Sequence, residues 1–506
     1  MLDPACGSGG MFVQSAHFVE LLRANPSERL TFKGLEKNPT TIRLAKMNLA
    51  VHGLEGDIQK AITYYEDPHE LIGKANFVMA NPPFNVDEVD ADKVKRDPRL
   101  PFGLPGVNKS GKVSNGNYLW ISYFYSYLNE TGRAGFVMSS QASSAGRDEA
   151  KVRQKLIETG DVDIMIAIRS NFFYTRTVPC ELWFLNRNKP DTHRNKVLML
   201  DARNIYRKVT RKIYDFSPEQ LQNLLAIVWL HRGQNERFLG LVTRYLGQTL
   251  NEARACFETK DEEGKSIHPL ADYKTALADL KNAMKPFLDT LPKDAAHSEV
   301  LRQLMEGSKT FEQDTDALYA AIKVESTQWE KQARDNAPLK ESTERLASLA
   351  ENSRDLLKQA DLLYKLACHL IEVCENEHRA KESNLWVSRE VTRARKAADE
   401  SRQAAVEQLK QVRYFHKQAS WLTERFPEAA LRDVEGLVKL VDKSELEAND
   451  WSLTPGRYVG VALEEEDENF DFEEALRDIH IELEGLNAEA VELAAKIKNN
   501  FEELGV

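Results

Sequence analysis

Along residues 1–200 short apolar runs alternate with stretches of helical period, the pattern of an α/β sheet whose strands are separated by helices. Leu30–Leu35 reads as a strand ending at Glu36, and Thr40–Val51 as the helix that follows it. Phe77–Ala80 is a buried strand ending at Asn81. Asn117–Leu128 predicts an aromatic-rich helix, Ala134–Ser139 a strand, and Lys151–Glu158 a helix. Val162–Ile168 and Leu182–Asn186 read as two more strands, and Val197–Asp201 as a last one. The segment from Asn85 to Gly116 is long, polar and rich in Gly, Pro and Lys, which suggests a mobile, functional connection.

From about Ser217 proline and glycine thin out, and Ala/Leu/Glu/Lys/Arg-rich segments follow. Leu356, Ala360, Leu363, Ala367, Leu370 and Cys374 recur at alternating spacings of four and three, a coiled-coil-like seam. Leu476, Ile479, Leu483, Leu486, Ala490, Leu493 and Ile497 repeat the spacing near the end. Such seams belong to helices that pack on one another or on a partner. Between the two lies a turn-forming segment, Asp450 to Tyr458, followed by the acidic run Glu464–Glu468. The expected organisation is an α/β domain at 1–216, a helical region at 217–448, and a terminal unit at 449–506 made of turn segment, acidic run and docking helix.

A chain of 506 residues exceeds what one core supports, so more than one domain is expected. No run approaches the ~18 uninterrupted apolar residues of a membrane span, and the N-terminus has no signal-like pattern. Five scattered cysteines make no disulfide framework, which favours a reducing, cytoplasmic setting. The net charge of −11 is unevenly placed: residues 1–216 hold 30 Lys and Arg against 24 Asp and Glu, a surplus of six cations, and the remainder carries −17. A mildly basic first half and an acidic second half fit local nucleic-acid contact joined to a solvated or protein-facing region.

Two motifs carry the chemistry. In Asp3-Pro4-Ala5-Cys6-Gly7-Ser8-Gly9-Gly10, the glycines open backbone angles closed to other residues, and the helix that follows presents unpaired N–H groups. Such a turn suits a ligand carboxylate, with Asp3 accepting a bond from an ammonium. Glu36, ending the next strand, is placed to accept from two ribose hydroxyls. Either feature alone is also compatible with a plain tight turn beside a surface glutamate. Asn81-Pro82-Pro83-Phe84 is more specific. An exocyclic amine on a nucleobase is a poor nucleophile because its lone pair is conjugated into the ring. Two fixed acceptors, the Asn81 side-chain oxygen and the Pro82 carbonyl, would draw its hydrogens and free that lone pair. Phe84 offers a face for a base turned out of the duplex.

Other features have plainer readings. Arg169, Arg176 and Lys208–Lys212 are candidates for phosphate contact, although surface cations are commonly only solvated. Cys368, His369, Cys374 and His378 resemble metal ligands superficially, but Cys374 falls on an apolar seam, so core packing is the reading and no metal is expected. Cys6 is a small packing residue rather than a nucleophile.

The order of the two motifs is similar to that of amino methyltransferases in which the cofactor motif comes first. The segments LDPACGSGGMFVQS, KGLEKNPTTIRLAKMNL, FVMANPPFN, GNYLWISYFYSYL, RAGFVMSS and WSLTPGRYVGV resemble the modification subunit of type I restriction–modification systems. The resemblance is close over 1–216 and about 445–506, and loose between. It implies a Rossmann-like methyltransferase sheet followed by a large, mostly α-helical region. It implies S-adenosylmethionine as cofactor, held by Asp3, Ala5, Cys6, Gly7, Ser8, Gly9, Gly10, Glu36 and Asn81, and N6-adenine methylation of double-stranded DNA at Asn81, Pro82, Pro83 and Phe84. It also implies a specificity subunit and a restriction subunit as partners. The acidic residue expected beside the cofactor adenine is Asp57 or Asp67, with Asp57 slightly favoured. Family members carry a helical domain ahead of the glycine turn, whereas this chain opens inside the strand leading into it. A truncated first strand, with weakened cofactor binding, is therefore expected. Alternatives are a non-catalytic assembly subunit, or an amino methyltransferase acting on protein glutamine or ribosomal RNA.

Overall fold

The computed structural model describes residues 1–173, 178–210, 213–260, 263–292 and 296–461, together with isolated helical positions between 476 and 497. The apolar runs of the first half form most of one nine-stranded sheet. Its strands, in chain order, are β1 (Leu2–Asp3), β2 (Phe32–Glu36), β3 (Gly56–Lys60), β4 (Ala75–Ala80), β5 (Leu128–Ser139), β6 (Val162–Ile168), β7 (Cys180–Asn186), β8 (Lys196–Asp201) and β9 (Val438–Asp442). In space they run β3-β2-β1-β4-β5-β7-β6-β8-β9. All are parallel except β7 and β9. This is the expected Rossmann-like α/β sheet, followed by a mostly helical region. β6, the run VDIMIAI, is buried at every position, as a strand covered on both faces must be.

The first strand is short but paired on both sides. Leu2 and Asp3 lie opposite Lys33 and Gly34 of β2, and Leu2 lies opposite Val78 of β4. The Lys33 N–H donates to the Met1 carbonyl at 2.9 Å, extending the β1–β2 ladder by one bond. Gly34 is required by this packing. A Cβ there would sit 2.7 Å from Ile58 Cδ1 and 2.9 Å from Cys6 Sγ.

The helices flanking the sheet are α1 (Gly10–Leu21), α2 (Pro39–Val51), α3 (Asn117–Tyr127) and α4 (Arg147–Glu158). α3 is buried almost throughout, packing Tyr118, Trp120, Tyr123 and Phe124 beneath the sheet. The Asn85–Gly116 connection is not featureless. Val89–Asp90 pairs with Lys112–Val113 in a small hairpin, and Ala91–Val94 forms one helical turn.

Six further helices follow: α5 (Pro218–His231), α6 (Asn235–Ala255), α7 (Pro269–Leu288), α8 (Ala296–Lys331), α9 (Asn336–Asn376) and α10 (Ser388–Arg425). The seam Leu356, Ala360, Leu363, Ala367, Leu370 and Cys374 is buried in the core that α6 to α10 share. The first of the two seams is therefore internal packing. Cys374 lies inside it, whereas His369 faces solvent beside Glu372. The chain then returns to the sheet, where β9 pairs antiparallel with β8. The turn segment docks beside it. Buried Arg153 on α4 donates from Nε to the Trp451 carbonyl at 2.7 Å, and the Leu453 N–H donates to the Ser143 carbonyl at 2.8 Å. The acidic run Glu464–Glu468 and, of the final seam, Ile479 and Leu486 lie outside the described residues. No helix among the described residues is long and apolar enough to cross a membrane.

Candidate active site

Strand order reverses at β1: β2 and β3 lie to one side of it, β4 and β5 to the other. In open parallel sheets a ligand crevice forms at such a reversal, outside the carboxyl ends of the strands. Three strand ends meet there: Asp3 of β1, Glu36 of β2 and Ala80 of β4, which leads into Asn81. The two sequence motifs are thus brought to one edge by topology.

The glycine turn is held from three sides. The Cys6 N–H donates to the Leu35 carbonyl at 3.1 Å. Asn48 on α2 donates to the Ser8 carbonyl at 3.0 Å, and Thr63, in the loop after β3, donates to the Pro4 carbonyl at 2.5 Å. Gly7 and Gly9 adopt φ of 52° and 79°, the left-handed region that favours glycine. Gly9 caps α1, so the first-turn amides of Gly10 and Met11 point outward without intrahelical acceptors. Ser8 and Gly10 are exposed, whereas Cys6 is buried, and burial pushes its thiol up. It packs rather than reacts.

Asp3 is 1% exposed and accepts from the Ala5 N–H at 3.0 Å. Burial raises its carboxyl to about 7; the Ala5 bond opposes that rise, and the nearby Glu36 carboxylate adds to it. An ammonium arriving beside it would supply the missing countercharge. Glu36 uses Oε1 to accept from the Asn38 N–H at 2.9 Å, which orients its carboxylate at the strand end.

Asn81 and Pro83 are exposed, Pro82 is buried and Phe84 is half-buried. Among the described residues no protein group engages the Asn81 side chain or the Pro82 carbonyl, so both acceptors stay available. Phe84 packs one side against the two large cores. The backbone then turns sharply at Asn85, φ 53°, and a residue that sequence reasoning passed over fixes it. Asn117, 1% exposed at the start of α3, accepts from the Asn85 N–H at 2.8 Å and donates to the Asn85 side chain at 2.9 Å. Asn115 donates to the same oxygen at 3.3 Å. Only the adjacency of Gly116 and Asn117 hinted at this in the sequence. Asn48 and Thr63 carried no signal beyond being polar.

Asp57, the favoured candidate for the adenine contact, is not at this edge. It is the second residue of β3, opposite Lys33 and three residues before Lys60 at the carboxyl end, or about 10 Å away along the strand. There it pairs with Lys33 at 2.8 Å, and the Lys33 bond holds its carboxyl below the usual range. A shallow groove lined by Thr31, Lys46, Glu55 and Asp57 opens on that opposite edge. Asp67 is bound to the Tyr127 hydroxyl at 3.2 Å, and burial raises its carboxyl. The loop that leaves the carboxyl end of β3 is Ala61–Thr63, where the Ala61 N–H donates to the Glu36 carbonyl at 3.1 Å. Arg176, Arg211 and Lys212 lie outside the described residues.

Residues 1–244 match the N-6 DNA Methylase family. The type I restriction enzyme MjaIX methylase subunit of Methanocaldococcus jannaschii is 33% identical over 317 residues, covering 58% of this chain and 55% of that one. The HindI methylase subunit of Haemophilus influenzae is 32% identical over 224 residues, covering 44% and 48%. The chain thus spans about half the length of these relatives. A solved type I methyltransferase subunit from Streptococcus thermophilus superposes with a TM-score of 0.40 at 23% identity, covering 44% of this chain and 46% of that one.

The raised Asp3 carboxyl predicts a pH dependence. Its proton is held more tightly when folded, so its contribution to stability is greatest at low pH and declines as pH rises from about 4 through about 7. A cationic ligand group prefers the ionised form. Affinity for S-adenosylmethionine should therefore rise between about pH 6 and about pH 8, by less than tenfold per unit. Calorimetric titration of Asp3→Asn should show a weaker and flatter profile. A variant with the wild-type profile would remove Asp3 from the site.

Proposed function

We propose that this chain is a modification subunit of a type I restriction–modification system, methylating N6 of adenine in DNA. The observation that carries the reading is the convergence of the glycine turn, Glu36 and Asn81–Phe84 on one sheet edge, where the strand order reverses. The residues fit S-adenosylmethionine. The turn Gly7-Ser8-Gly9-Gly10, with the outward amide of Gly10, would cradle its carboxylate end, and Asp3 would face its ammonium. Glu36 would accept from the ribose hydroxyls, and Ala5 and Cys6 shape the turn. When bound, that cofactor supplies an electrophilic methyl group.

The remaining work belongs to the chain. The Asn81 oxygen and the Pro82 carbonyl accept the two hydrogens of the adenine amine, turning its lone pair out of conjugation and stabilising the positive charge that grows on nitrogen. Pro82 and Pro83 restrict the backbone that holds these acceptors. Phe84 stacks on a base withdrawn from the duplex, and the Asn117–Asn85 clamp fixes the loop behind it. No metal enters this scheme.

The double-stranded DNA site would be read by a specificity subunit, with a restriction subunit completing the complex in the cytoplasm. In support of a docking helix, Leu476, Leu483, Leu493 and Ile497 are helical yet 48–58% exposed. The same spacing in α9 is buried. The partition into 1–216, 217–448 and 449–506 stays part of this proposal, with the addition that β9 of the middle segment completes the sheet.

Asn81→Ala should lower the methylation rate by about 100-fold or more, the scale for losing a preorganised acceptor, while S-adenosylmethionine affinity changes little. A near wild-type rate of methyl transfer to adenine would contradict the assignment. Replacing Leu483 and Leu493 with Glu should abolish co-purification with the specificity subunit and leave cofactor binding intact. Retained co-purification would place the docking surface elsewhere.

A further inference from the structure

The exit of β6 carries a cation that nothing in the described protein neutralises. Arg169 directly follows Ile168, and its guanidinium carbon lies 3.8 Å from the centre of the Tyr206 ring and 4.0 Å from that of Tyr214. The two rings meet at 84° with centroids 5.1 Å apart, so the guanidinium sits in an aromatic corner. Its Nε is buried without a hydrogen-bond partner. Among the described residues the Arg169 guanidinium donates no hydrogen bond and has no carboxylate in ion-pair range.

Neighbouring arginines differ. Arg203 pairs with Asp201, Arg207 with Asp215, and Arg153 donates to four carbonyl groups. The ring faces attract the Arg169 charge and hold its plane, but they accept no conventional hydrogen bond from its N–H edge. An anionic oxygen from outside the protein would complete it, and a planar guanidinium suits phosphate oxygens in pairs.

The surroundings are basic on the same face. Tyr214 belongs to the hairpin formed by Arg207–Thr210 and Ile213–Asp215, and Lys208 lies directly across from it, so the two side chains share a face. Lys208 is exposed. Arg207 and Asp215, on the other face, neutralise each other. The Tyr214 N–H donates to the Asn171 carbonyl at 3.2 Å, tying the hairpin to the β6 exit. That exit opens on the sheet edge that carries Asn81, three strands away along β4-β5-β7-β6. The separation is roughly 14 Å at ordinary strand spacing, comparable with the ~12 Å width of a major groove.

We propose that Arg169, seated in the Tyr206–Tyr214 corner with Lys208 beside it, binds a phosphodiester of the DNA strand that carries the target adenine. The proposal rests on the DNA-methyltransferase reading. Binding of the full 506-residue chain to a short duplex with one unpaired adenine, followed by fluorescence anisotropy over a range of salt, tests both. Arg169→Gln should weaken binding about tenfold, and the slope of log Kd against log salt should fall by about 0.9, the value for one phosphate contact. Arg169→Lys should keep that slope, because the charge remains, and S-adenosylmethionine affinity should be unchanged in both variants. Wild-type affinity and slope in Arg169→Gln would overturn the Arg169 assignment alone, and would leave a protein carboxylate as the occupant of the corner. Loss of the slope in Arg169→Lys as well, or a parallel fall in cofactor affinity, would also overturn it, since the residue would then be structural. A wild-type chain that binds S-adenosylmethionine but no DNA would overturn the DNA reading and this proposal with it.

Discussion

The pairing of Leu2 and Asp3 between β2 and β4 is the constraint on which the candidate site depends. It fixes where the sheet reverses, and so where a crevice can open. It also carries Asp3 into a buried position beside the glycine turn. The fit is tight: Gly34 leaves no room for a Cβ against Ile58 and Cys6. Because β1 is only two residues long, side-chain and turn contacts share the work of holding the motif. Thr63, Asn48 and the Leu35 carbonyl each bind the turn from a different element. Leaving the buried Thr63–Pro4 pair unmade would cost about 1–3 kcal/mol, a large share of a domain's marginal stability.

The helical region is joined to this sheet rather than hung from it. Its core is continuous with residues on β6 and β8, including Ile164, Ile166, Leu198 and Leu200. β9 pairs along β8, and the Trp451–Tyr458 segment is fastened to α4 and to the loop after β5 through Arg153 and Ser143. A crevice built on strand ends benefits from such bracing, since acceptors such as those of Asn81 act only when held in place.

Much of this was legible in the sequence because the signals were local. Strands such as Val162–Ile168 and the spacing of the α9 seam follow from periodicity, and both motifs are compact. What escaped depends on distant partners. β3, with the sequence GDIQK, has little intrinsic strand character and forms because β2 offers it a parallel edge. β9 pairs with residues more than two hundred positions earlier, in a stretch dominated by helical pattern. The periodicity of a seam states that a face is apolar, not what covers it: α9 is buried, whereas the described positions of the last helix are exposed. Asp57 depends on register in a similar way: its pairing with Lys33 puts it near the start of β3, away from the carboxyl ends. The Asn117–Asn85 clamp joins residues 32 apart across a loop whose path no periodicity encodes.

If the sheet reversal creates a single cofactor crevice at the carboxyl ends of β1, β2 and β4, amide hydrogen exchange of the full chain with and without S-adenosylmethionine will map it. Protection should concentrate at residues 5–12, 36–38, 61–63 and 81–85. Protection concentrated instead on the Thr31–Asp57 groove at the opposite edge, or no ligand-dependent change at the glycine turn, would contradict it.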